Sequence, residues 1–449
     1  MPLMPRAGLA RMVFLLWSAV LVGCAHSPAP PRGNATARLY TRALQEIGLV
    51  YIAPVSDQKL MLAGLAGLSR LDRKLSIAET PAPAQQIGIA LIYSGRQLAL
   101  YALPREGDEA GWGLLASRAI AAAKATSPTL AAASETRIDA VVLDGMTGAL
   151  DRFSRYSTPG AARVQRVALD GLGAKPTLQQ AEQDGIAVLR ITAFNRDTAA
   201  RLAAALQHRE REPGLRGIVL DLRGDPGGLL KQAVGVAQLF IANGPIVATV
   251  GRNPASRQFF RASGTAIAPA VPLVVLIDGG SASASEIVAA ALQDAHRAVV
   301  IGSASYGKGS VQTVLPLPNG GVLIVTWALL LRPSGALLAR HGVIPNLCTS
   351  GLADAGPVLA RVLSGGWVAP PSPTAGRSEG DWQRLRRACP PRPGDRRVDL
   401  AVARRLFADP ILYREVLDGR RPDVAPPVPS STAILTEPRS RLISIPLTP

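Results

Sequence analysis

Rings are scarce in this sequence: 7 Phe, 7 Tyr and 5 Trp make up 4% of 449 residues. So few aromatics exclude a stacking platform for single-stranded nucleic acid, and no nucleic-acid partner is expected. A core must instead be built from Leu, Ala, Val and Ile. Histidine and cysteine are rarer still. The four His (26, 208, 296 and 341) are scattered, and neither C-x-x-C nor H-E-x-x-H occurs. Metal-ligand spacing is therefore missing, and neither a metal nor an organic cofactor is expected. Lysine occurs at only six positions (59, 74, 124, 175, 231 and 308) of the 49 that are Lys or Arg. Such a balance reflects a coding bias towards Arg, and the net charge of +17 reads mainly as solvated surface. A Lys kept among so many Arg is of more interest, because a buried Lys can lose its proton and an Arg cannot. What the chain has in quantity is apolar residues, 48% of the total, which excludes wholesale disorder. Its length suits roughly two to four domains.

Arg6 and Arg11 precede an apolar run over residues 12–23, which is too short to span a bilayer and suits a signal-peptide core. The run ends Leu21, Val22, Gly23, Cys24, which resembles the lipobox of bacterial lipoproteins. That resemblance implies removal of residues 1–23 and lipidation of Cys24. The protein is then lipid-anchored on the periplasmic side of a bacterial membrane, and Ala25 in place of Asp leans towards the outer membrane. A plain secretory signal with an incidental Cys is the alternative. Cys348 and Cys389 remain, an even number in an oxidising compartment, and are a candidate disulfide. Closing that loop stabilises by about 4 kcal/mol in the chain-entropy model. Two buried free thiols are the other possibility.

Residues 24–35 are rich in Pro and Ser and read as a linker. Residues 36–158 read as a mainly helical region. Helical period runs over 36–80, with Leu60, Leu62, Leu65 and Leu68 on one stripe. A hairpin fits 87–103 and further helices fit 111–125 and 138–150. Residues 159–183 pattern poorly and read as a connector. Over 184–345, apolar strands alternate with helices, which predicts an α/β core. Residues 346–421 read as an irregular extension with one short helix at 398–406, and 422–449 as a Pro-rich disordered tail.

Two turns in the core could carry chemistry. Asp221, Leu222, Arg223, Gly224, Asp225, Pro226, Gly227 and Gly228 follow a buried strand and precede a helix. Glycines there let backbone N–H groups approach an anion, although a tight strand–helix turn would use them equally. Gly279 to Glu286 (Gly-Gly-Ser-Ala-Ser-Ala-Ser-Glu) also sits between a strand and a helix. It could present a Ser hydroxyl where amides and the helix dipole stabilise negative charge, or it could be an ordinary Ser N-cap with Glu286 close behind. Gly307, Lys308 and Gly309 lie between predicted strands. A phosphate-binding loop is excluded there because position 309 is Gly and a strand follows. The penicillin-binding S-x-x-K reading of Ser305 and Lys308 needs a helix that the glycines oppose.

Taken in order, these segments resemble the carboxyl-terminal processing (tail-specific) proteases, serine peptidases with a Ser/Lys dyad. The resemblance covers residues 217–228, 281–294, 306–313, 316–320 and 333–335, with fainter traces at 148–151 and Tyr156. It implies an α/β core of the multi-layer ββα (crotonase-like) type. It also implies Ser283 as nucleophile, Lys308 as base and Gln312 as its helper, with the amides of Ala284 and of the Gly227–Gly228 turn as oxyanion hole. The chemistry is consistent with this. Ser needs a base, and Lys serves as one only when desolvated enough to be neutral. In an extended segment residues 308 and 312 face the same side, so Gln312 is expected to direct the amine.

Three departures stand out. The family's PDZ domain has too little room in residues 161–183, since even small domains need about 50 residues. Leu329 stands where the family has Arg, and Asp225 where it has Asn. The expected activity is endopeptidase cleavage of exported polypeptides, with a weakly active or inactive peptide-binding scaffold lipoprotein as the alternative. A homo-oligomer or adaptor contact is expected through residues 36–158.

Overall fold

The computed structural model describes residues 34–82, 86–170, 177–363 and 378–419. The expected signal peptide, Cys24, most of the linker and the Pro-rich tail lie outside these residues. No helix among the described residues is long and apolar enough to cross a membrane.

The N-terminal region opens with helices α1 (Ala35–Val50) and α2 (Asp57–Ala66). A three-stranded antiparallel sheet follows, β1 (Leu75–Ala82), β2 (Gln86–Tyr93) and β3 (Arg96–Ala102). Helices α3 (Glu109–Thr126), α4 (Pro128–Ala131) and α5 (Glu135–Gly148) complete it. Side-chain caps start most of these helices. Asn34, Ser56, Asp108, Ser127 and Ser134 each accept an amide of the first turn. Gly145 lets α5 press on α2, where an added Cβ would lie 2.3 Å from the Ala63 carbonyl oxygen. Tyr40, Leu44, Leu60, Leu65, Trp112 and Met146 are fully buried in a core that extends into Leu323 and Val325 of the neighbouring sheet. The region is thus fused to the wall of the site rather than tethered beside it.

The central sheet has the strand order β14-β11-β10-β7-β6-β5. Its strands are β5 (Leu178–Gln183), β6 (Ile186–Ile191), β7 (Gly217–Asp221), β10 (Leu273–Ile277), β11 (Val299–Gly302) and β14 (Leu347–Cys348). All pair in parallel except β5, which is antiparallel to β6. Strands β7, β10 and β11 are buried at every residue, because helices cover both faces. Helices α7 (Thr198–Arg211), α8 (Leu230–Gln238) and α9 (Ala284–Asp294) pack on one face. Helices α10 (Gly356–Leu363), α12 (Arg396–Phe407) and α13 (Pro410–Asp418) pack on the other. A second, antiparallel sheet runs β12 (Ser310–Pro316), β13 (Val322–Leu331), β8 (Asn243–Val250), β9 (Gln258–Ser263), with β4 (Arg155–Ser157) also on β13. The fold is α/β in layers, as expected.

Three expectations need correction. Residues 75–80 form strand β1, not a continuation of helix, because all eight residues of β1 pair with β2. The connector is built from helix α6 (Pro159–Asp170) and β5, whose polar sequence suits an exposed sheet edge. The extension beyond 346 is largely helical, through α10, α11 (Glu379–Ala388), α12 and α13. Its charged, solvated faces mask amphipathic helices. Trp382 of α11 is buried and stacks on His341 at 4.8 Å.

Candidate active site

Ser283 occupies the link between β10 and α9 with φ 58° and ψ −110°, a conformation costly for an L residue. The surroundings hold it there. Ala282 N donates to the Asp225 carbonyl at 3.0 Å, and Ser281 Oγ donates to the Leu222 carbonyl at 2.8 Å. Ser285 Oγ donates to that same Asp225 carbonyl at 3.0 Å. The Ser283 hydroxyl is half-buried, and Ser283 and Glu286 form a capping box at the start of α9. The Ser283 amide donates to Glu286 Oε2 at 2.8 Å.

Glu286 is the organising group. Its carboxylate is fully buried and takes four donors. Oε2 accepts the amides of Ser283 at 2.8 Å and Lys308 at 2.9 Å. Oε1 accepts Ser305 Oγ at 2.5 Å and the Gly307 amide at 2.7 Å. One oxygen therefore joins the backbones of the two residues expected to form the dyad. Burial pushes the Glu286 carboxyl pKa up, and the four donors pull against it. The spacing of Ser283 and Glu286 was legible only as a helix start. The clamp is visible once residues 303–309 fold over α9.

Lys308 is half-buried. Burial lowers its amine pKa, Arg155 lowers it further and Glu286 opposes both. The downward direction is the one a general base requires. Among the described residues, no hydrogen bond joins the Lys308 amine to Ser283 Oγ or to Gln312. Gln312 Nε2 instead donates to Ser310 Oγ at 2.8 Å and Thr326 Oγ1 at 3.4 Å. The register shift between Val311 and Gln312 places its extra residue, Trp327, on β13, so β12 keeps its alternation and Gln312 shares a face with Ser310.

The glycine turn lies against the serine. A Cβ added at Gly227 would sit 2.8 Å from Ala284 N and 2.9 Å from Ser283 Cβ, so only Gly fits this approach, at φ 95°. The Gly227 amide is occupied, donating to Asp225 Oδ1 at 2.8 Å. Neither the Gly228 amide nor the Ala284 amide has an acceptor among the described residues. Both amides lie beside Ser283, and Ala284 begins α9, where the helix dipole favours negative charge.

The rear of the serine turn rests on the C-terminal segment. Cys348 and Cys389 form a disulfide with a Cα–Cα distance of 5.8 Å. Beyond it, the Arg392 carbonyl accepts from Gly279 N at 3.0 Å and Ser303 Oγ at 2.7 Å. Gly394 N donates to Asp278 Oδ2 at 3.1 Å. Asp278 Oδ1 in turn accepts the amides of Gly224 at 2.8 Å and Gly280 at 2.9 Å, bridging the two turns. Buried Arg223 pairs with Asp221 and with Asp399 of α12, each at 2.7 Å. Asp278 and Asp399 are supports that the motif reading missed, because their partners are distant in sequence. Leu329 is half-buried on β13, opposite Ser310 and Val250.

Comparison with known proteins places this arrangement in context. Residues 185–348 match the sequence profile described as Peptidase family S41. A carboxy-terminal-processing protease of Bartonella bacilliformis is 43% identical over 185 residues, 40% of this chain and 42% of that protein. A carboxyl-terminal-processing protease of Synechocystis is 38% identical over 161 residues, 36% of this chain and 37% of that one. The carboxy-terminal processing protease CtpA of Bacillus subtilis is 33% identical over 178 residues, 40% and 38%. The chain thus spans about two fifths of the length of these relatives. Among solved structures, a photosystem II D1 C-terminal processing protease aligns with a TM-score of 0.45 and 18% identity, over 70% of this chain and 93% of that one.

Proposed function

Residues 185–348 belong to peptidase family S41, and from that premise we propose that this protein is a serine endopeptidase acting on polypeptides. The observation that carries the reading is the meeting of the Ser283 and Lys308 amides on one Glu286 oxygen, beside two amides with no acceptor among the described residues. In this mechanism neutral Lys308 takes the hydroxyl proton as Ser283 Oγ attacks the scissile carbonyl. The oxyanion forms against the Gly228 and Ala284 amides. Lys308 then gives its proton to the leaving amine, and water releases the acyl group by the same steps in reverse. Gln312 turns towards the Lys308 amine when substrate is bound. Substrates are selected by the surfaces around the site, including residues 36–158. The chain works on exported proteins from a lipid anchor at Cys24.

Fluorophosphonate labelling and cleavage of an unfolded polypeptide test the mechanism. Both are expected to vanish in Ser283→Ala. Lys308→Arg should keep the fold, put a permanent cation where the mechanism needs a neutral amine, and lose turnover by about 10²-fold or more. Retained turnover in Lys308→Arg would refute the base assignment. Loss of lipid incorporation in Cys24→Ala tests the anchor, and an unchanged lipid signal would refute it.

A further inference from the structure

Asp225 is a buried acid in the glycine turn that the proposed chemistry does not use. Its side chain is fully buried. Oδ1 accepts the Gly227 amide at 2.8 Å, while Oδ2 has no hydrogen-bond partner among the described residues. Its backbone carbonyl accepts Ala282 N and Ser285 Oγ, so Asp225 is fastened to both turns that carry the free amides.

We propose that Asp225 is a positioning residue that must be protonated for the Gly228 and Ala284 amides to donate to an oxyanion, its ionisation switching that amide pair off. The proposal rests on the reading of Ser283 as nucleophile.

The charges around Asp225 are all committed elsewhere. Arg190 of β6 is the facing cation, but it lies 3.6 Å from Asp221 and donates to the Arg223 carbonyl at 3.2 Å. Arg223 pairs with Asp221 and Asp399. From α9 come the Ser285 hydroxyl, bonded to backbone, and Glu286 with its four donors. Asp278, from the serine turn, is held by three amides. No cation pairs with Asp225 among the described residues. Burial lifts its pKa to about 7, with the Gly227 amide, Ser285 and Arg190 opposing.

A proton on Oδ2 leaves the Oδ1 bond to Gly227 intact and makes the turn neutral. Loss of that proton puts a carboxylate next to the amide pair in a dry site. There it opposes the second negative charge that the reaction creates.

The test compares wild type with Asp225→Asn in the full chain. Asn keeps a carbonyl for the Gly227 amide and cannot ionise. Turnover of a polypeptide substrate is measured across pH, and titration of Lys308 cancels in the variant-to-wild-type ratio of kcat/KM. That ratio is expected to rise about a hundredfold between roughly pH 6 and pH 9, about two pH units above the Asp225 pKa of about 7. Thermal unfolding of both proteins from about pH 4 to about pH 7 is expected to show wild type falling behind the variant as pH climbs. A flat ratio with an inactive Ser283→Ala control overturns this inference alone. Hydrolysis surviving in Ser283→Ala overturns the reading of the site and this inference with it.

Discussion

Two buried carboxyls flank Ser283, and they are partnered very differently. Glu286 on the Lys308 side takes four donors, from Ser283, Ser305, Gly307 and Lys308. Asp225 on the Gly228 side takes one, from Gly227. Burial raises the pKa of both. The difference teaches that depth does not decide what a buried acid contributes; the supply of donors does. Glu286 joins two loops as a charged acceptor. Asp225 shapes one turn and carries a titration close to neutral pH.

The sharpest way to break this comparison is Glu286→Ala. Four donors would lose their acceptor together, and the expected cost is about 3–5 kcal/mol in urea unfolding, with turnover lost. Glu286→Gln should recover part of that stability, because one oxygen still accepts. Equal stability of the two variants would show that the clamp is unimportant.

Asp225→Asn sharpens the comparison from the other side. The folded pKa is raised above the unfolded value, so the native state keeps a proton that the unfolded chain has lost. Stability from that proton is full below about pH 4, falls as pH rises to about 7 and is level beyond. The variant should therefore gain on wild type across that window, with a ceiling of about 4 kcal/mol. Urea midpoints that stay parallel would contradict it.

A smaller effect is expected at the rear support. Replacing Cys348 and Cys389 together by Ser should cost about 2–4 kcal/mol, read by thermal unfolding with and without reductant. Turnover should fall more than that of a remote variant of matched stability, because Gly279 and Asp278 take bonds from residues just past Cys389. The smallest effect is expected away from both carboxyls. Asn319 Nδ2 donates to Tyr156 Oη at 2.9 Å and Asp139 Oδ2 at 3.1 Å. Asn319→Ala should cost about 1 kcal/mol and leave the pH profile of kcat/KM unmoved. A shifted profile would mean that the N-terminal region reaches the site electrostatically.

Much of the central sheet was legible in the sequence because β7, β10 and β11 are short apolar runs bounded by turns. The serine and glycine turns were legible because each follows such a run. Strand β5 was not, since Leu178 is followed by Gln179, Gln180, Ala181, Glu182 and Gln183, and an edge strand needs no apolar face. The C-terminal helices were hidden by Arg-rich faces and by Gly and Pro between them. The bonds of Gln312 to Ser310 and Thr326 were not legible, because Thr326 comes from the neighbouring strand β13. The roles of Glu286 and Asp225 depend on how many donors reach each carboxyl, which only the closed loops decide.

The bonds from residues 392 and 394 to the serine turn also set an order of events. A chain leaves the ribosome from its N-terminus, and domains fold largely as they emerge. Gly279 and Asp278 can form without their partners, yet Arg392 and Gly394 are made long after Ser283. The candidate site is therefore completed late in biogenesis, after most of the chain that precedes its C-terminal supports has been made.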